Sequence, residues 1–307
     1  MSNGQAGKTE NRQPGLIAGT LIALTGAALW GLNAVVSKYL MARGLDPMWT
    51  ANFRMITSGL VLLIPAAIKD LHGLFDIWKD RNSVIRLLAI AVFAFGVCQT
   101  TYYLSIGYSN AGIASAIQQT APVYVLIAVM LIEHRKPRAV ELITLPLVIG
   151  GSFLIATHGD AGALAIHPLA LVFGLISALC SALYMVLPPP LVRRYGTYET
   201  VGWGLFVGGC FLAPFCRLWE FPGGWDLTMA AAMLFIIIPG ASMAFGLFLY
   251  GASIVGPVRA GVYNLFEPVV AVTASAVLLG QSFHVTEILG IACILTGIAI
   301  LTVSRGS

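Results

Sequence analysis

The residue best suited to chemistry in this sequence is Glu267, the one acidic residue in the middle of the long apolar stretch from Gly256 to Leu279. A proline, Pro268, follows it directly. A carboxylate near the middle of a bilayer costs several kcal/mol unless it is paired, hydrated or protonated. Glu267 therefore indicates a binding site or a pathway, and it is our candidate for coupling to protons. The alternative is a structural hydrogen bond made by a permanently protonated acid.

Amide and aromatic side chains lie within the other apolar stretches. Gln99, Tyr102 and Tyr103 share one helical face by their i, i+3, i+4 spacing, and an amide beside two phenols can hold a zwitterion and cover an apolar side chain. The alternatives are hydrogen bonds between helices, interfacial anchoring and core packing. The predicted substrate-binding residues are Trp30, Asn33, Gln99, Tyr102, Tyr103, Gln118, Tyr184, Tyr250, Tyr263 and Asn264.

Two prolines and two basic residues complete the candidate site. Pro122 and Pro268 each follow a carboxamide residue by four positions, Gln118 and Asn264. A proline cannot donate to the carbonyl four residues earlier and its ring crowds that carbonyl, so both positions predict a hinge. The alternative is a kink whose freed groups are satisfied by neighbouring helices. Two further residues, Lys38 and Arg54, lie near the ends of apolar stretches and are given gating or structural roles.

The composition places these residues in a membrane. The chain of 307 residues is 58% hydrophobic and 10% charged, whereas soluble domains carry about 25% charged residues. The net charge of +4 is scattered at the ends of apolar stretches, so no nucleic-acid partner is expected. The five cysteines are odd in number and lie in apolar stretches, which favours packing and predicts no disulfide, metal or cofactor.

Apolar runs of the length that crosses a bilayer, about 20 residues, recur along the chain. We number ten predicted membrane helices as spans 1 to 10, at residues 16–40, 49–68, 84–106, 112–132, 139–157, 168–190, 199–218, 229–250, 256–279 and 286–303. The sequence predicts an all-α polytopic membrane protein with a cytoplasmic tail at 1–15, a first five-helix repeat at 16–157 and a second at 168–303.

Positive charge predicts the orientation. With the N-terminus inside, thirteen of the 17 lysines and arginines fall at cytoplasmic ends of spans. Cytoplasmic loops carry this kind of excess, so both termini are expected in the cytoplasm.

An internal repeat appears when Pro122 is placed on Pro268, an offset of 146 residues. Gln118 then falls on Asn264. The basic loop Arg135-Lys136-Pro137-Arg138 falls on the uncharged Gln281-Ser282-Phe283-His284. Five spans per half is an odd number, so the halves should be inverted relative to each other, which is typical of transporters with a site near the midplane.

Short motifs in this order resemble those of the drug/metabolite transporter superfamily, and within it the EamA family. They are Leu29-Trp30-Gly31-Leu32-Asn33, Arg54, Ala121-Pro122-Val123, Glu267-Pro268-Val269 and the glycine-rich spans 5 and 10. The resemblance implies ten helices in two inverted repeats and secondary transport of small metabolites across the bacterial inner membrane. Many members of the family are similar to amino-acid exporters of the YddG type, and the aromatic content of the inner spans favours that subgroup here. One position departs, because Glu133 at the end of span 4 has Gln281 as its counterpart.

The expected function is therefore export of amino acids, aromatic or otherwise apolar ones, by alternating access, in a monomer whose partners are the solute, the lipid bilayer and protons. A facilitative carrier or a channel for small amphipathic solutes or drugs, without proton coupling, is the alternative. An enzyme is not expected, since no HExxH motif and no second deep carboxylate accompany Glu267.

Overall fold

A computed structural model describes residues 15–108, 114, 117–157, 167–279 and 285–303. Within these residues the secondary structure is helical, without strands. Most of the predicted tail lies outside the described ranges, as do parts of the loops after spans 3, 5 and 9.

The first half follows the predicted order. Span 1 is the helix Leu16–Ala42 and span 2 is Pro47–Lys69, after which a 3-10 helix covers Gly73–Trp78. Span 3 is continuous but changes its winding: Arg81–Ala89 is α-helical, Ile90–Val97 is a π-helix and Cys98–Tyr108 is α-helical again. The described helix of span 4 is Ala121–Glu133, and span 5 is Ala139–Thr157.

The second half has the same organisation. Span 6 is Pro168–Val186, followed after one bend residue by a short helix, Pro188–Tyr195, which begins at the proline triplet. Span 7 is Thr197–Leu212. Span 8 consists of Leu227–Ile237, a π-helix at Ile238–Met243, and Ala244–Val255. Span 9 is divided into Pro257–Asn264 and Phe266–Leu279, and span 10 is Val285–Val303.

The helices have the length and hydropathy of membrane spans. Among the described residues, five helical segments are long and apolar enough to cross a bilayer: Leu16–Ala42, Pro47–Lys69, Arg81–Tyr102, Pro168–Tyr195 and Leu227–Val255. Shorter apolar helices at Ala121–Glu133, Ala139–Leu154 and Ile288–Ile300 accompany them. The all-α polytopic architecture predicted from the sequence is confirmed.

Aspartates begin three of these helices. Asp46 accepts from the Trp49 backbone N–H at 2.7 Å, Asp80 from Ser83 at 3.1 Å and Asp226 from Met229 at 2.7 Å. Each satisfies a backbone donor that the first turn leaves free, and a negative charge there suits the helix dipole.

The π-helix of span 8 is held by serines. Ser58 of span 2 donates to the Ile237 carbonyl at 3.0 Å, and Ser242 donates to the same carbonyl at 2.9 Å. In hydrocarbon a backbone group that leaves the regular helical ladder must be satisfied inside the protein. The two hydroxyls supply that partner and fix span 8 against span 2.

The packing of spans follows a two-fold pattern. Span 1 packs on spans 8 and 9, and span 6 packs on spans 3 and 4, while span 2 packs on span 7 and span 5 on span 10. Exchanging the two halves leaves this pattern unchanged. The π-helices of spans 3 and 8 and the interruptions of spans 4 and 9 also correspond at the 146-residue offset.

The two ends of the bundle can be defined from antiparallel neighbours. Spans 1 and 8 run antiparallel, because Gly19 lies against Ile254 while Arg43 pairs with Asp226 at the opposite end. We call the end with Gly19 and Ile254 end 1, and the end with Arg43 and Asp226 end 2.

Spans 3 and 6 are also antiparallel, and their ends can be assigned in the same way. Asp80, before span 3, pairs with Arg194, after span 6. The neighbouring Arg193 donates to the Ser253 carbonyl at 2.8 Å. Since Ser253 lies beside Ile254, the Asp80–Arg194 pair belongs to end 1.

The contact between spans 2 and 7 depends on glycine. A Cβ on Gly59 would lie 2.5 Å from the Phe206 backbone nitrogen and 2.8 Å from the Gly202 carbonyl oxygen. Only a residue without a side chain allows the two backbones to approach this closely, as is common between membrane helices.

We therefore expect Gly59→Ala to push spans 2 and 7 apart and to lower the free energy of unfolding by about 1 to 3 kcal/mol. The matched control is Gly150→Ala, where a Cβ would meet no atom within 4 Å, and where we expect no loss and a gain of up to about 1 kcal/mol from helix propensity. Thermal unfolding of both variants in detergent is the measurement. Equal unfolding midpoints would contradict the close approach.

Candidate functional site

Five aromatic side chains from spans 1, 3, 6 and 8 meet in the interior; we call them the aromatic cluster, and they are Trp30, Phe95, Tyr184, Phe245 and Phe248. The Trp30 ring centroid lies 4.9 Å from that of Phe245 and 4.8 Å from that of Phe248. The Tyr184 ring lies 5.5 Å from Phe95 and 5.7 Å from Phe245. Both halves of the chain contribute, so the cluster lies where the two repeats meet.

Two buried polar atoms lie at or beside the cluster without a hydrogen-bond partner among the described residues. They are the Tyr184 hydroxyl and the Asn33 side-chain oxygen. Tyr184 is 6% exposed and Asn33 is 7% exposed. Leaving a buried donor or acceptor unsatisfied costs about 1 to 3 kcal/mol, so such groups in a native structure call for an explanation. Binding of a polar solute group would supply one.

The local sequence explains how span 1 presents this face. Trp30 and Asn33 are three residues apart and so lie on adjacent turns of one face. Asn33 meets the π-helix of span 8, because a Cβ on Gly240 would lie 2.7 Å from the Asn33 oxygen. Gly31 points to span 9 instead, where a Cβ would lie 2.6 Å from the Glu267 carbonyl oxygen.

Span 9 is interrupted beside this contact. Its first helix ends at Asn264, Leu265 is a turn residue and the second helix begins at Phe266. Glu267 lies in the first turn of the second helix and Pro268 follows it. Span 4 is interrupted at the equivalent place, with turn residues at 119–120 before the helix that starts at Ala121 and contains Pro122. Whether either interruption is a hinge stays a prediction.

Glu267 is partly buried, and the Arg54 guanidinium of span 2 interacts with it electrostatically. The acid and the base come from different halves of the chain.

Tyr263 is fully buried and its oxygen lies 3.2 Å from the Thr20 hydroxyl, which donates to it. This bond joins span 9 to span 1 towards end 1. Asn264, the last residue of the first helix of span 9, is partly buried.

Gln118 joins three spans. Its amide donates to the Ser177 hydroxyl at 2.8 Å, and that hydroxyl donates to the Cys98 carbonyl at 3.0 Å. The Gln118 amide therefore makes hydrogen bonds between helices, which was the alternative to substrate binding.

Other predicted site residues are less central. Tyr250 is 41% exposed and does not reach the aromatic cluster. Gln99 and Tyr102 are partly buried in span 3. The side chains of Tyr103 and Lys38 lie outside the part of the chain that the structure describes. The structure thus brings the rings of Trp30 and Tyr184 to 6.0 Å from each other, with Asn33 on the next turn of span 1, whereas Tyr250 is exposed.

Phe95, Phe245, Phe248 and Ser177 were not predicted. A phenylalanine in an apolar span has no polar atom to distinguish an inward from a lipid-facing position. The usable signal was the 146-residue offset, which places Phe245 and Phe248 on Gln99 and Tyr102, two residues that the sequence did select.

Clefts open at both ends of the bundle. The cleft at end 1 has a volume of about 160 Å³ and lies between the loops after spans 4 and 8, where Arg135 donates to both oxygens of Glu141 at 2.7 and 2.9 Å. The cleft at end 2 has a volume of about 470 Å³ and is lined in part by Trp49 and Arg217. Neither of these two clefts includes a residue of the aromatic cluster.

Comparison with known proteins gives one family. The model of the EamA-like transporter family matches residues 17–157 and again 168–303. The uncharacterized inner membrane transporter YicL of Salmonella typhimurium is 30% identical over 287 residues, covering 92% of this chain and 95% of that protein. Protein PecM of Dickeya dadantii is 23% identical, covering 89% and 88%. A solved crystal structure with 16% identity has the same fold, with a TM-score of 0.77 over 92% of this chain and 96% of that one.

The unpartnered hydroxyl of Tyr184 leads to a prediction about the stability of the protein without bound solute. Since this hydroxyl is buried without a hydrogen bond, Tyr184→Phe removes a desolvation cost, and we expect the free energy of unfolding to rise by about 1 kcal/mol. Tyr198→Phe is the control, because Tyr198 is 52% exposed. Unfolding of purified protein in detergent, without added solute, is the measurement. A less stable Tyr184→Phe variant would show that the hydroxyl is satisfied.

Proposed function

Since the chain belongs to the EamA-like transporter family, we propose that it is a secondary active transporter that exports small metabolites across the bacterial inner membrane by alternating access. The observation that carries the proposal is the aromatic cluster with its two unpartnered polar atoms, built from four spans of both halves. Ligand sites of this kind are largely apolar and contain a few convergent polar groups.

The chemistry of the cluster favours amino acids with apolar side chains. Aromatic rings can cover such a side chain, while the Asn33 oxygen can accept from an ammonium group and the Tyr184 hydroxyl can donate to a carboxylate. The unpartnered atoms would then be satisfied only when solute is bound. Aromatic amino acids fit this wall best, because their rings can stack edge to face with Trp30 and Phe245.

The proposal includes an orientation. End 1 is cytoplasmic, which places both termini inside and the two halves in inverted orientations. The excess of lysine and arginine at end 1 and the two-fold packing of the spans support it.

Cysteine labelling checks this orientation. In a background whose five native cysteines are replaced, His72→Cys lies in the loop at end 1 and Gly223→Cys in the loop at end 2. With an impermeant maleimide added to intact spheroplasts, we expect labelling of the second variant and protection of the first until the membrane is lysed. The reverse pattern would place end 1 outside.

Glu267 is the proposed proton carrier. A protonated Glu267 is neutral and an ionised one is stabilised by the positive charge of Arg54, so that each state can remain in the interior. Loss of the proton on one side and its uptake on the other would couple solute movement to the pH gradient. If Glu267 is only a hydrogen-bond partner and exchanges no proton, the same site is a facilitative carrier, which is the second candidate.

Transport by purified protein in liposomes tests both the function and the coupling. Radiolabelled amino acids and amphipathic metabolites are offered with and without a pH gradient, and counterflow separates a carrier from a channel. We expect counterflow of at least one apolar amino acid. Movement without counterflow would identify a channel, and the absence of movement of every solute would overturn the proposed substrate class.

The coupling variant is Glu267→Gln, which mimics the protonated state. We expect normal folding, loss of pH-gradient-driven transport and retained solute exchange. Glu220→Gln, at an exposed ion pair with Arg217 in the loop after span 7, is the control. A Glu267→Gln variant that responds to the gradient as the wild type does would remove this residue from coupling and favour the facilitative carrier.

A further inference from the structure

At end 2, span 1 is tied to span 8 by two side-chain contacts. Arg43 pairs with Asp226, and the Tyr39 and Thr228 hydroxyls are 3.1 Å apart. The Arg43 guanidinium also lies 5.8 Å from the centre of the Tyr39 ring. We call these four residues the end-2 latch.

At end 1, the short helix Pro188–Tyr195 that follows span 6 is tied to the start of span 3 by the same kinds of contact. Arg194 pairs with Asp80 at 2.9 Å, and the Tyr195 and Ser83 hydroxyls are 2.9 Å apart. The Arg194 guanidinium lies 5.0 Å from the centre of the Tyr195 ring. We call these four residues the end-1 latch.

The two latches are equivalent in the repeat. Asp80 and Asp226 are separated by the same 146 residues as Pro122 and Pro268. Each aspartate caps the first turn of its span, span 3 or span 8. Each aspartate pairs with an arginine whose guanidinium lies over a tyrosine ring. Arg43 directly follows span 1, and Arg194 lies in the short helix after span 6. The arginine and tyrosine positions do not share the offset, so the latches correspond in construction rather than residue by residue.

The latches join the same four spans that supply the aromatic cluster. Trp30 comes from span 1, Phe95 from span 3, Tyr184 from span 6, and Phe245 with Phe248 from span 8. A solute that enters between spans 1 and 8 from end 2 must pass the end-2 latch. One that enters between spans 3 and 6 from end 1 must pass the end-1 latch.

We propose that the two latches are the opposing gates of this transporter: each holds one end of the pathway closed, and transport requires one latch to open while the other stays formed. The inference rests on the proposed alternating-access function and adds the positioning residues that set which side the site faces. The structure has both latches formed, and it is therefore closed at both ends along these two seams.

The latches are built to open. Their charged side chains are one-third or more exposed, and exposed ion pairs contribute little to stability. A gate held by such contacts can be released by the small free-energy differences that solute binding supplies. A buried, fully desolvated ion pair would not release so readily, because breaking it leaves an unpaired charge.

The charges persist at neutral pH. Bonds from the Ser83 hydroxyl, assisted by Arg194, hold the pKa of Asp80 below its ordinary value. Bonds from the Thr228 hydroxyl and the Met229 N–H, assisted by Arg43, do the same for the pKa of Asp226. Lowered carboxyl pKa values mean that both aspartates are ionised around pH 7, so the latches open mechanically rather than by titration.

The variants Asp226→Asn and Asp80→Asn test the proposal. Asparagine caps a helix as well as aspartate does, so each change removes the ion pair and keeps the start of the span. Asp46→Asn is the matched control: Asp46 also caps a span through a backbone N–H, and no ion pair joins it within the described ranges.

The readout is the accessibility of the site from each side. A single cysteine at Asn33→Cys, in a background without native cysteines, is labelled by an impermeant maleimide added outside or, in inverted vesicles, inside. We expect Asp226→Asn to raise labelling from the end-2 side and Asp80→Asn from the end-1 side, each by about two- to fivefold, the range for one exposed ion pair. Asp46→Asn should change neither.

Equal changes on both sides, or none, would overturn the latches, since general loosening has no sidedness. If Asn33→Cys does not fold, retained Cys98, buried near Gln118 and Ser177, serves as the reporter. The double variant Arg43→Gln/Asp226→Asn should be no more accessible than either single one, because both remove the same contact. Labelling needs no transported solute, so the two proposals can fail separately. Sided labelling in a protein that moves none of the solutes would support the latches and overturn the proposed substrate class. Transport without sided labelling would overturn the latches alone.

Discussion

A single constraint organises this structure: within hydrocarbon, every backbone and side-chain polar group needs a partner inside the protein. The π-helix of span 8 exists beside Ser58 and Ser242 because their hydroxyls satisfy the Ile237 carbonyl. Gln118, Ser177 and Cys98 solve the same problem between spans 3, 4 and 6. The Asn33 oxygen and the Tyr184 hydroxyl are two of several buried side-chain atoms without a partner among the described residues, and these two lie at or beside the aromatic cluster where the two halves meet.

The two-fold pattern of packing relates the aromatic cluster to the two ends of the bundle. Span 1 lies on span 8 as span 6 lies on span 3, so the two seams have the same arrangement of helices. The Asp–Arg pairs before spans 3 and 8 are the clearest case. The proposed alternating access would use these two seams to expose one shared centre in turn.

Sequence reasoning identified part of the site for identifiable reasons. Polar side-chain atoms within an apolar run can be recognised in a sequence, and this is how Trp30, Asn33 and Tyr184 were selected. Phe95, Phe245 and Phe248 are as apolar as the lipid-facing residues around them, so only their packing distinguishes them. Tyr250 was selected for its phenol, yet it is 41% exposed, because the face on which it lies depends on how span 8 is wound through its π-helix. The π-helices change the helical phase, and period-based assignment of faces does not account for them.

The sequence by itself determined that the chain lies in a membrane, that it is helical and which family it resembles. It also indicated the interruptions of spans 4 and 9. Hydropathy, the length of apolar runs and proline act locally along the chain, so a sequence reveals them. Only the tertiary structure decided which aromatic rings meet and that Gly31 brings span 1 onto the Glu267 carbonyl. It also decided that Arg54 interacts electrostatically with Glu267 and that Asp80 and Asp226 pair with arginines far away in the sequence. Those facts depend on the relative rotation and crossing of helices far apart in the chain. That rotation is set by small residues and by local changes of winding, which leave almost no periodic signal.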